Sequence, residues 1–315
     1  MERLARLRGP DRFGKAARPH RRLACRGIAL VPKLSAGTLP APSRARVFLV
    51  GAGPGSADLL TLKAARLIAA ADWLIHDALV QPDVLALAVR ARVISVGKRA
   101  GRKSTRQAEI NRLLIDCAAK GGLVVRLKGG DPLLFARAQE ELDALRQAGI
   151  AVEVVPGITT AQAAYAALAM PMTERGKRRS MVFATPQVAP ARDDDGWAPD
   201  DGSDVHWARA LVNAEGGALY MASTVVTRTR ATLLSLGMPA DTPAIWITNV
   251  SLPDQTVLAT TVGELRSLPE GLAGQPALLL LGTVIPSPLL APATIPASVP
   301  VASEHSHLSH ASLAS

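Results

Sequence analysis

Between residues 46 and 286, short apolar runs that stop at a glycine alternate with longer stretches whose apolar positions recur at helical spacing. Arg46-Val47-Phe48-Leu49-Val50 runs into Gly51, and residues 59–71 then carry apolar side chains on a helical period. Trp73-Leu74-Ile75 reads as a strand, Val93-Ile94-Ser95-Val96 ends at Gly97, and residues 110–119 have a helical pattern. Leu123-Val124-Val125-Arg126-Leu127 ends at Gly129-Gly130, residues 140–148 read as a helix, and Val152-Glu153-Val154-Val155 stops at Pro156-Gly157. Strand, glycine loop and helix in repetition predict a parallel sheet covered by helices. Ligands of such sheets bind beyond the carboxyl ends of the strands, where these glycine loops lie. A second unit follows, with strand candidates at 181–184, 217–221, 244–248 and 277–281. The acidic run Asp193-Asp194-Asp195-Gly196-Trp197-Ala198-Pro199-Asp200-Asp201-Gly202 between its first two strands reads as a solvated loop in preference to a metal site.

Composition narrows the class. A chain of 315 residues suggests two domains at ~150 residues each. With 48% hydrophobic residues and two cysteines it is neither a disordered chain nor a disulfide scaffold, and 3% aromatics argues against base-stacking RNA readers. The net charge of +10 is confined to one end: residues 1–47 hold 12 Lys/Arg and two acids, which leaves 24 of each sign in the remainder. The body therefore carries no overall field for nucleic acid. Residues 1–45 read as a disordered basic arm, whose Arg-rich, acid-poor composition also fits an organelle transit peptide. Arg26 interrupts the apolar stretch 23–32, and no run approaches the ~18 apolar residues of a membrane span, so a cytoplasmic location is expected with organelle import as the alternative. The expected organisation is arm 1–45, a first α/β domain 46–165, a second α/β domain 166–286 and a Pro/Ala/Ser-rich tail 287–315. Cys25 and Cys117 form no metal spacing, and His305, His307 and His310 lie in the tail, so no metal is expected.

Three loops carry the candidate chemistry. Gly51-Ala52-Gly53-Pro54-Gly55-Ser56 sits after a strand and before a helical stretch, where glycines allow close backbone approach to a ligand and leave amide N–H groups free at a helix start. A dinucleotide fingerprint would place its third glycine at Ser56, and Pro54 removes a donor, so the loop alone supports a nucleotide weakly. In Arg126-Leu127-Lys128-Gly129-Gly130-Asp131-Pro132-Leu133-Leu134-Phe135, the carboxylate of Asp131 is placed to accept from a ribose or an amine. It could equally cap a following helix with Pro132 at the first helical position, and both can hold together. Val155-Pro156-Gly157-Ile158-Thr159-Thr160-Ala161 ends a strand with a glycine turn and small hydroxyl residues that can cap and contact.

These loops in this order resemble those of the uroporphyrinogen-III C-methyltransferases of the tetrapyrrole methylase family. The similarity is carried by Val50 to Gly55 with Leu59-Leu60-Thr61-Leu62-Lys63-Ala64, Val96-Gly97-Lys98-Arg99, Arg126 to Phe135 with Glu140-Glu141, Val155 to Thr160, Leu219-Tyr220-Met221 and Pro276-Ala277-Leu278. It covers about three quarters of the chain, from Arg46 to about Pro286. The resemblance implies two unequal α/β domains, with a parallel sheet in the first and a mixed sheet in the second. It places S-adenosylmethionine in the cleft between them and implies a homodimer. The implied reaction is C-methylation of uroporphyrinogen III at two pyrrole carbons, giving precorrin-2 through the monomethylated intermediate, for siroheme and cobalamin. Pro54, Gly129, Gly130, Asp131, Leu134, Thr159, Thr160 and Met221 match cofactor positions, and Asp77 and Lys98 match the proposed proton acceptor and donor. A carboxylate suits the positive charge that develops on a methylated pyrrole, and an ammonium can donate a proton or pair with a substrate carboxylate. Without the resemblance, Asp77 would read as a turn residue and Lys98 as a solvated loop charge. Arg99, Arg102, Lys103 and Arg106 cluster just after Lys98 and are expected to form a basic rim for substrate carboxylates.

The chain departs from the family pattern at several positions. Ala136, Ala138 and Gln139 replace glycines, Glu174 stands for a histidine in Met172-Thr173-Glu174-Arg175, and Thr185-Pro186-Gln187 replaces a Thr-Gly-His. Val250 occupies a glycine position beside the cofactor, where a side chain would crowd the adenosine if the backbone needed positive φ. Three other readings therefore stand beside the first: a methylase of a later corrin intermediate, a catalytically weak relative, and a dinucleotide-binding oxidoreductase.

Overall fold

The computed structural model describes residues 46–97, 106–187 and 205–282. The expected proton donor Lys98 and Arg99, Arg102 and Lys103 of the expected rim lie outside the described residues, as do the arm, the acidic run, Cys25 and the tail histidines. In the first half the strands and helices alternate: β1 (Arg46–Gly51), α1 (Leu62–Ala70), β2 (Trp73–His76), α2 (Pro82–Leu85), β3 (Arg92–Ser95), α3 (Gln107–Ala119), β4 (Leu123–Lys128), α4 (Ala138–Gln147), β5 (Ala151–Val155) and α5 (Thr160–Ala167). The second half continues with β6 (Val182–Ala184), α6 (His206–Val212), β7 (Gly217–Tyr220), α7 (Val226–Ser235), β8 (Pro243–Thr248), β9 (Thr256–Thr261) and β10 (Ala277–Leu281).

The first five strands form one parallel sheet in the order β3-β2-β4-β1-β5. Central β4 is flanked on both sides, with Val47 opposite Val124 and Leu74 opposite Val125, and its interior positions are buried, as an apolar run between two helix layers demands. Phe48, Val50, Leu74, Val125 and Leu127 face α1 and α2, whereas Val47, Leu49, Ile75 and Val124 face Ile110 and Leu114 of α3 and Leu142 and Leu145 of α4. β3, at the edge, is mostly exposed. α1 starts at Thr61, whose hydroxyl accepts from the Ala64 N–H at 3.1 Å and satisfies one orphan donor of the first turn.

The second sheet has the order β6-β7-β10-β8-β9, with β6 parallel to β7 and the other pairs antiparallel. The expected pairing of a parallel first sheet with a mixed second sheet is what the structure contains. One face of the second sheet packs under α6 and α7 through Leu211, Leu233 and Trp246; the other meets α5 through Ala161, Ala164 and Tyr165 against Ile245, Ile247, Leu278 and Leu280. Because α5 follows directly on β5, this contact ties the carboxyl ends of the first sheet to the second sheet. No described helix is long and apolar enough to cross a membrane.

Candidate active site

Glycine 51, 53, 130 and 157 let the three strand-end loops interlock. Gly53 and Gly130 exchange backbone hydrogen bonds, Gly130 N–H to Gly53 O at 2.7 Å and Gly53 N–H to Gly130 O at 3.2 Å, while the Ala52 N–H donates to Lys128 O at 2.8 Å. A Cβ at Gly157 would stand 2.2 Å from Gly130 O, and one at Gly51 would stand 2.6 Å from the Gly157 backbone. Gly51 and Gly157 are therefore required by loop-to-loop contact, and Gly53 and Gly130 by their positive φ, 72° and 66°. The expectation of free amides at a helix start is corrected accordingly: the Ala52 and Gly53 donors are spent on β4 and its loop, the Ser56 N–H donates to Ser251 Oγ at 3.0 Å, and only a single 3-10 turn, Ala57–Leu59, follows. That disposition removes the anion cradle a dinucleotide enzyme needs.

Asp131 does not cap a helix. The segment after it is a series of turns and α4 begins only at Ala138, so the capping expectation at Pro132 is overturned. Its Oδ1 accepts from the Leu133 N–H at 2.9 Å in a local turn, and its Oδ2 accepts from the Gly157 N–H at 3.0 Å. The carboxylate thus pins the loop after β4 to the loop after β5. Thr159 caps α5, its hydroxyl accepting from the Gln162 N–H at 3.2 Å while the Gln162 side chain accepts from the Thr159 N–H at 2.9 Å.

Beyond the strand ends lies a cavity of about 560 Å³, within the range of small-molecule sites. Pro54, Gly129, Gly130, Asp131, Leu134, Thr159, Thr160 and Met221 all line it, together with Asp77 and Val250. Eight positions taken from four separate stretches of sequence are thereby brought to one surface. Arg106 is not among the lining residues; it stands exposed at the start of α3, its guanidinium 3.7 Å from Glu109. One wall is aromatic: Phe135, held at φ 52°, sets its ring 5.1 Å from that of Tyr220. The Tyr220 hydroxyl accepts from the Ala161 N–H at 3.1 Å, and burial pushes its pKa above the usual phenol value. A wider open depression of about 1,110 Å³ adjoins this cavity and shares Leu79, Gln81, Asn249, Leu252 and Pro276 with it; Asp58, Asp83 and Asp254 lie on its walls.

Asp77 follows β2 directly, and its side chain is 34% exposed. Its Oδ1 accepts from Arg126 Nη2 at 2.5 Å, and Arg126 rises from inside the first sheet. Sequence reasoning passed over Arg126 as a functional residue, although two cations in the run Leu123-Val124-Val125-Arg126-Leu127-Lys128 mark a strand that buries charge on one face.

Comparison with known proteins fixes the lineage. Residues 46–266 match the family model of the tetrapyrrole (corrin/porphyrin) methylases. The chain belongs to the tetrapyrrole methylase family. A siroheme synthase of Zymomonas mobilis is 41% identical over 244 residues, covering 77% of this chain and 50% of the relative. The chain spans about half the length of the curated relatives it matches. A uroporphyrin-III C-methyltransferase of Thermus thermophilus, solved in complex with S-adenosyl homocysteine, superposes with a TM-score of 0.61 at 34% identity, covering 75% of this chain and 97% of that one. A solved cobalt precorrin-4 methyltransferase gives a TM-score of 0.62 at 25% identity, covering 78% and 98%.

As a tetrapyrrole methylase the chain accommodates its departures locally. Ala138 and Gln139 are the first residues of α4, and the left-handed conformations fall on Phe135 and Arg137, not on Ala136. At the Val250 position Asn249 and Ser251 take positive φ, 47° and 69°, while Val250 does not. Its side chain lines the cavity and packs in the core shared with α5, so the backbone strain expected there is absent. Gln187 also lines the cavity, donating from Nε2 to Thr224 Oγ1 at 2.7 Å. Glu174 lies away from it, in a surface turn where its carboxylate pairs with Lys177 at 2.8 Å.

Proposed function

We propose that this chain is an S-adenosylmethionine-dependent C-methyltransferase that converts uroporphyrinogen III to precorrin-2 through the monomethylated intermediate, acting as a homodimer. The observation that carries the proposal is the convergence of the eight cofactor positions and Asp77 on one cavity at the strand ends. The residues present suit the methyl donor. A Cβ at Gly129 would meet only the Leu79 side chain, at 3.6 Å, so glycine keeps that wall clear for a bulky ligand. The Phe135–Tyr220 ring pair offers an apolar surface, and Thr159, Thr160 and the Gly129–Gly130 backbone offer polar groups for a nucleoside and an amino acid moiety.

When bound, S-adenosylmethionine supplies an electrophilic methyl group on a sulfonium centre. Pro54, Leu134 and Met221 are among the residues that would hold it, apolar side chains lining the same cavity. The Asp77 carboxylate, anchored by Arg126, faces the same cavity and stabilises the positive charge that develops on a pyrrole when its carbon is methylated; it is also placed to take up the proton that restores neutrality. Lys98 and the basic cluster after it are assigned to the substrate's acidic arms.

An anaerobic assay with S-adenosylmethionine and enzymatically generated uroporphyrinogen III, counting methyl groups by mass spectrometry, tests the proposal. Two added methyls are expected. No transfer to uroporphyrinogen III, with transfer to a more highly methylated corrinoid, would replace the substrate while leaving the reaction class intact.

A further inference from the structure

A strand covered on both faces ordinarily carries apolar side chains, and β4 breaks that rule with Arg126 and Lys128. Both point into the layer beneath α3 and α4, where Arg126 is 1% and Lys128 2% exposed. Cations so placed demand partners. They share one: Glu141 of α4, fully buried, whose Oε1 accepts from Arg126 Nε at 3.1 Å, Lys128 Nζ at 2.9 Å and Gln107 Nε2 at 3.2 Å. Its Oε2 has no hydrogen-bond partner among the described residues.

The guanidinium of Arg126 is planar, so fixing some of its N–H groups fixes the direction of the others. Glu141 Oε1 lies 3.1 Å from both Nε and Nη2 and Nη1 donates to Leu127 O at 3.3 Å, an orientation that brings Nη2 to 2.5 Å from Asp77 Oδ1. A continuous chain of charge-assisted bonds therefore runs from the interior of the α3–α4 layer to the wall of the cavity. Asp77 is the only member of the four charged groups that lines the cavity; Glu141, Arg126 and Lys128 do not reach it.

We propose that Glu141 is a positioning residue for methyl transfer, acting through Arg126 to fix the carboxylate of Asp77. The inference rests on the function proposed above for the same site. Lys128 balances the charge of the cluster: burial, followed by the nearby Arg126 charge, pushes its ammonium pKa below the usual lysine value, and Glu141 is the carboxylate that opposes this shift most. Removing Glu141 alone would leave two buried cations facing one carboxylate, and such a variant could fail simply by misfolding. The discriminating variant removes the pair together, Glu141→Leu with Lys128→Met, which keeps the remaining Arg126 and Asp77 neutral in sum. Replacement of a buried ion pair by apolar residues of similar volume is often neutral for stability.

The test is a kinetic cycle combining this double variant with Asp77→Asn, with calorimetric binding of S-adenosylhomocysteine and the hydrogen exchange of the Arg126 Nε–H followed by NMR. The double variant is expected to bind S-adenosylhomocysteine as the parent does, keep both KM values within about twofold, and lose kcat by on the order of 10- to 100-fold, the scale of a small misplacement of a reacting group. In the Asp77→Asn background the same change is expected to cost less than about twofold, because the group it positions is already gone. The Arg126 Nε–H is expected to be protected in the parent and to exchange rapidly in the double variant. An unaltered kcat, an equal loss in the Asp77→Asn background, or equal exchange in parent and variant would overturn the inference. Absence of turnover by the parent would overturn the proposed function and the catalytic half of this inference. The exchange arm would still decide whether Glu141 holds Arg126.

Discussion

At the scale of single residues, the account turns on two aspartates with opposite assignments. Asp77 lines the cavity and is the proposed proton acceptor, so Asp77→Asn is expected to lower kcat by about 100-fold or more while S-adenosylhomocysteine affinity changes by less than about twofold; steady-state kinetics and calorimetry check this together. Asp72 is structural. Its Oδ2 accepts from the Leu123 N–H at 2.7 Å and its Oδ1 from Arg90 at 2.7 Å, joining the start of β4 to the turn before β2. The Leu123 amide, followed more weakly by Arg90 against the opposing effect of burial, lowers the Asp72 pKa below the usual carboxylate value. A carboxylate with a depressed folded-state pKa contributes stability that is complete above its unfolded value, ~3.9, and is lost as pH falls through the lower folded value. Asp72→Asn is therefore expected to cost about 1 kcal/mol at pH 7, a figure kept small because the group is partly exposed, with the difference from the parent closing below about pH 4 in urea unfolding. Asp131 was legible in the sequence as an important carboxylate. Its actual partner was not: the Gly157 amide lies on another strand-end loop, and no local pattern encodes a bond across 26 residues.

At the scale of elements, the glycines after β1, β4 and β5 act as one interlock. Gly157→Ala would drive a methyl to 2.2 Å from Gly130 O, and is expected to destabilise by about 2 kcal/mol or more. Gly271→Ala, at a site with nothing within 4 Å and no positive φ, is the matched control and is expected to be near neutral. Urea denaturation of both variants decides. The sequence showed these strands well because buried parallel strands are apolar runs punctuated by glycine, and β1, β4 and β5 appear within one residue of the expected positions. It showed the second half less completely. β9, Thr256–Thr261, is a half-buried edge strand of which half is threonine, and α7, Val226–Ser235, is rich in threonine and arginine; neither has the glycine punctuation that betrays the strands of the first half. Their places are set by pairing to β8 and by packing under the second sheet, contacts that only the assembled fold supplies. Arg126 and Glu141 belong to the same class: each is visible as a charge in an apolar context, but their meeting at 3.1 Å depends on how α4 lies over β4.

At the scale of the whole molecule, a parallel sheet and a mixed sheet are joined through α5, and the strand-end loops of the first meet the β8–β9 loop of the second through Ser56 and Ser251. The cavity is lined by Gly129 and Thr159 of the first half and by Met221 and Val250 of the second, so a ligand bound there would couple to the stability of both halves. Saturation with S-adenosylhomocysteine at about 100 times its Kd is expected to raise unfolding stability by about 2.7 kcal/mol, seen as a higher melting temperature that depends on ligand concentration. NAD at the same concentration is expected to leave the melting temperature unchanged, because the Ala52, Gly53 and Ser56 amides of the first loop are engaged with the protein. The central claim is that this cavity is the seat of the methyl donor. The most direct measurement is calorimetric titration of S-adenosylhomocysteine into the parent protein and into Gly129→Val, a change at a position without positive φ whose added side chain would occupy the cavity wall. The account predicts saturable one-site binding by the parent and at least a tenfold loss of affinity, about 1.4 kcal/mol, in a variant that still unfolds cooperatively. Equal affinity in the two proteins, or no binding by the parent, would contradict it.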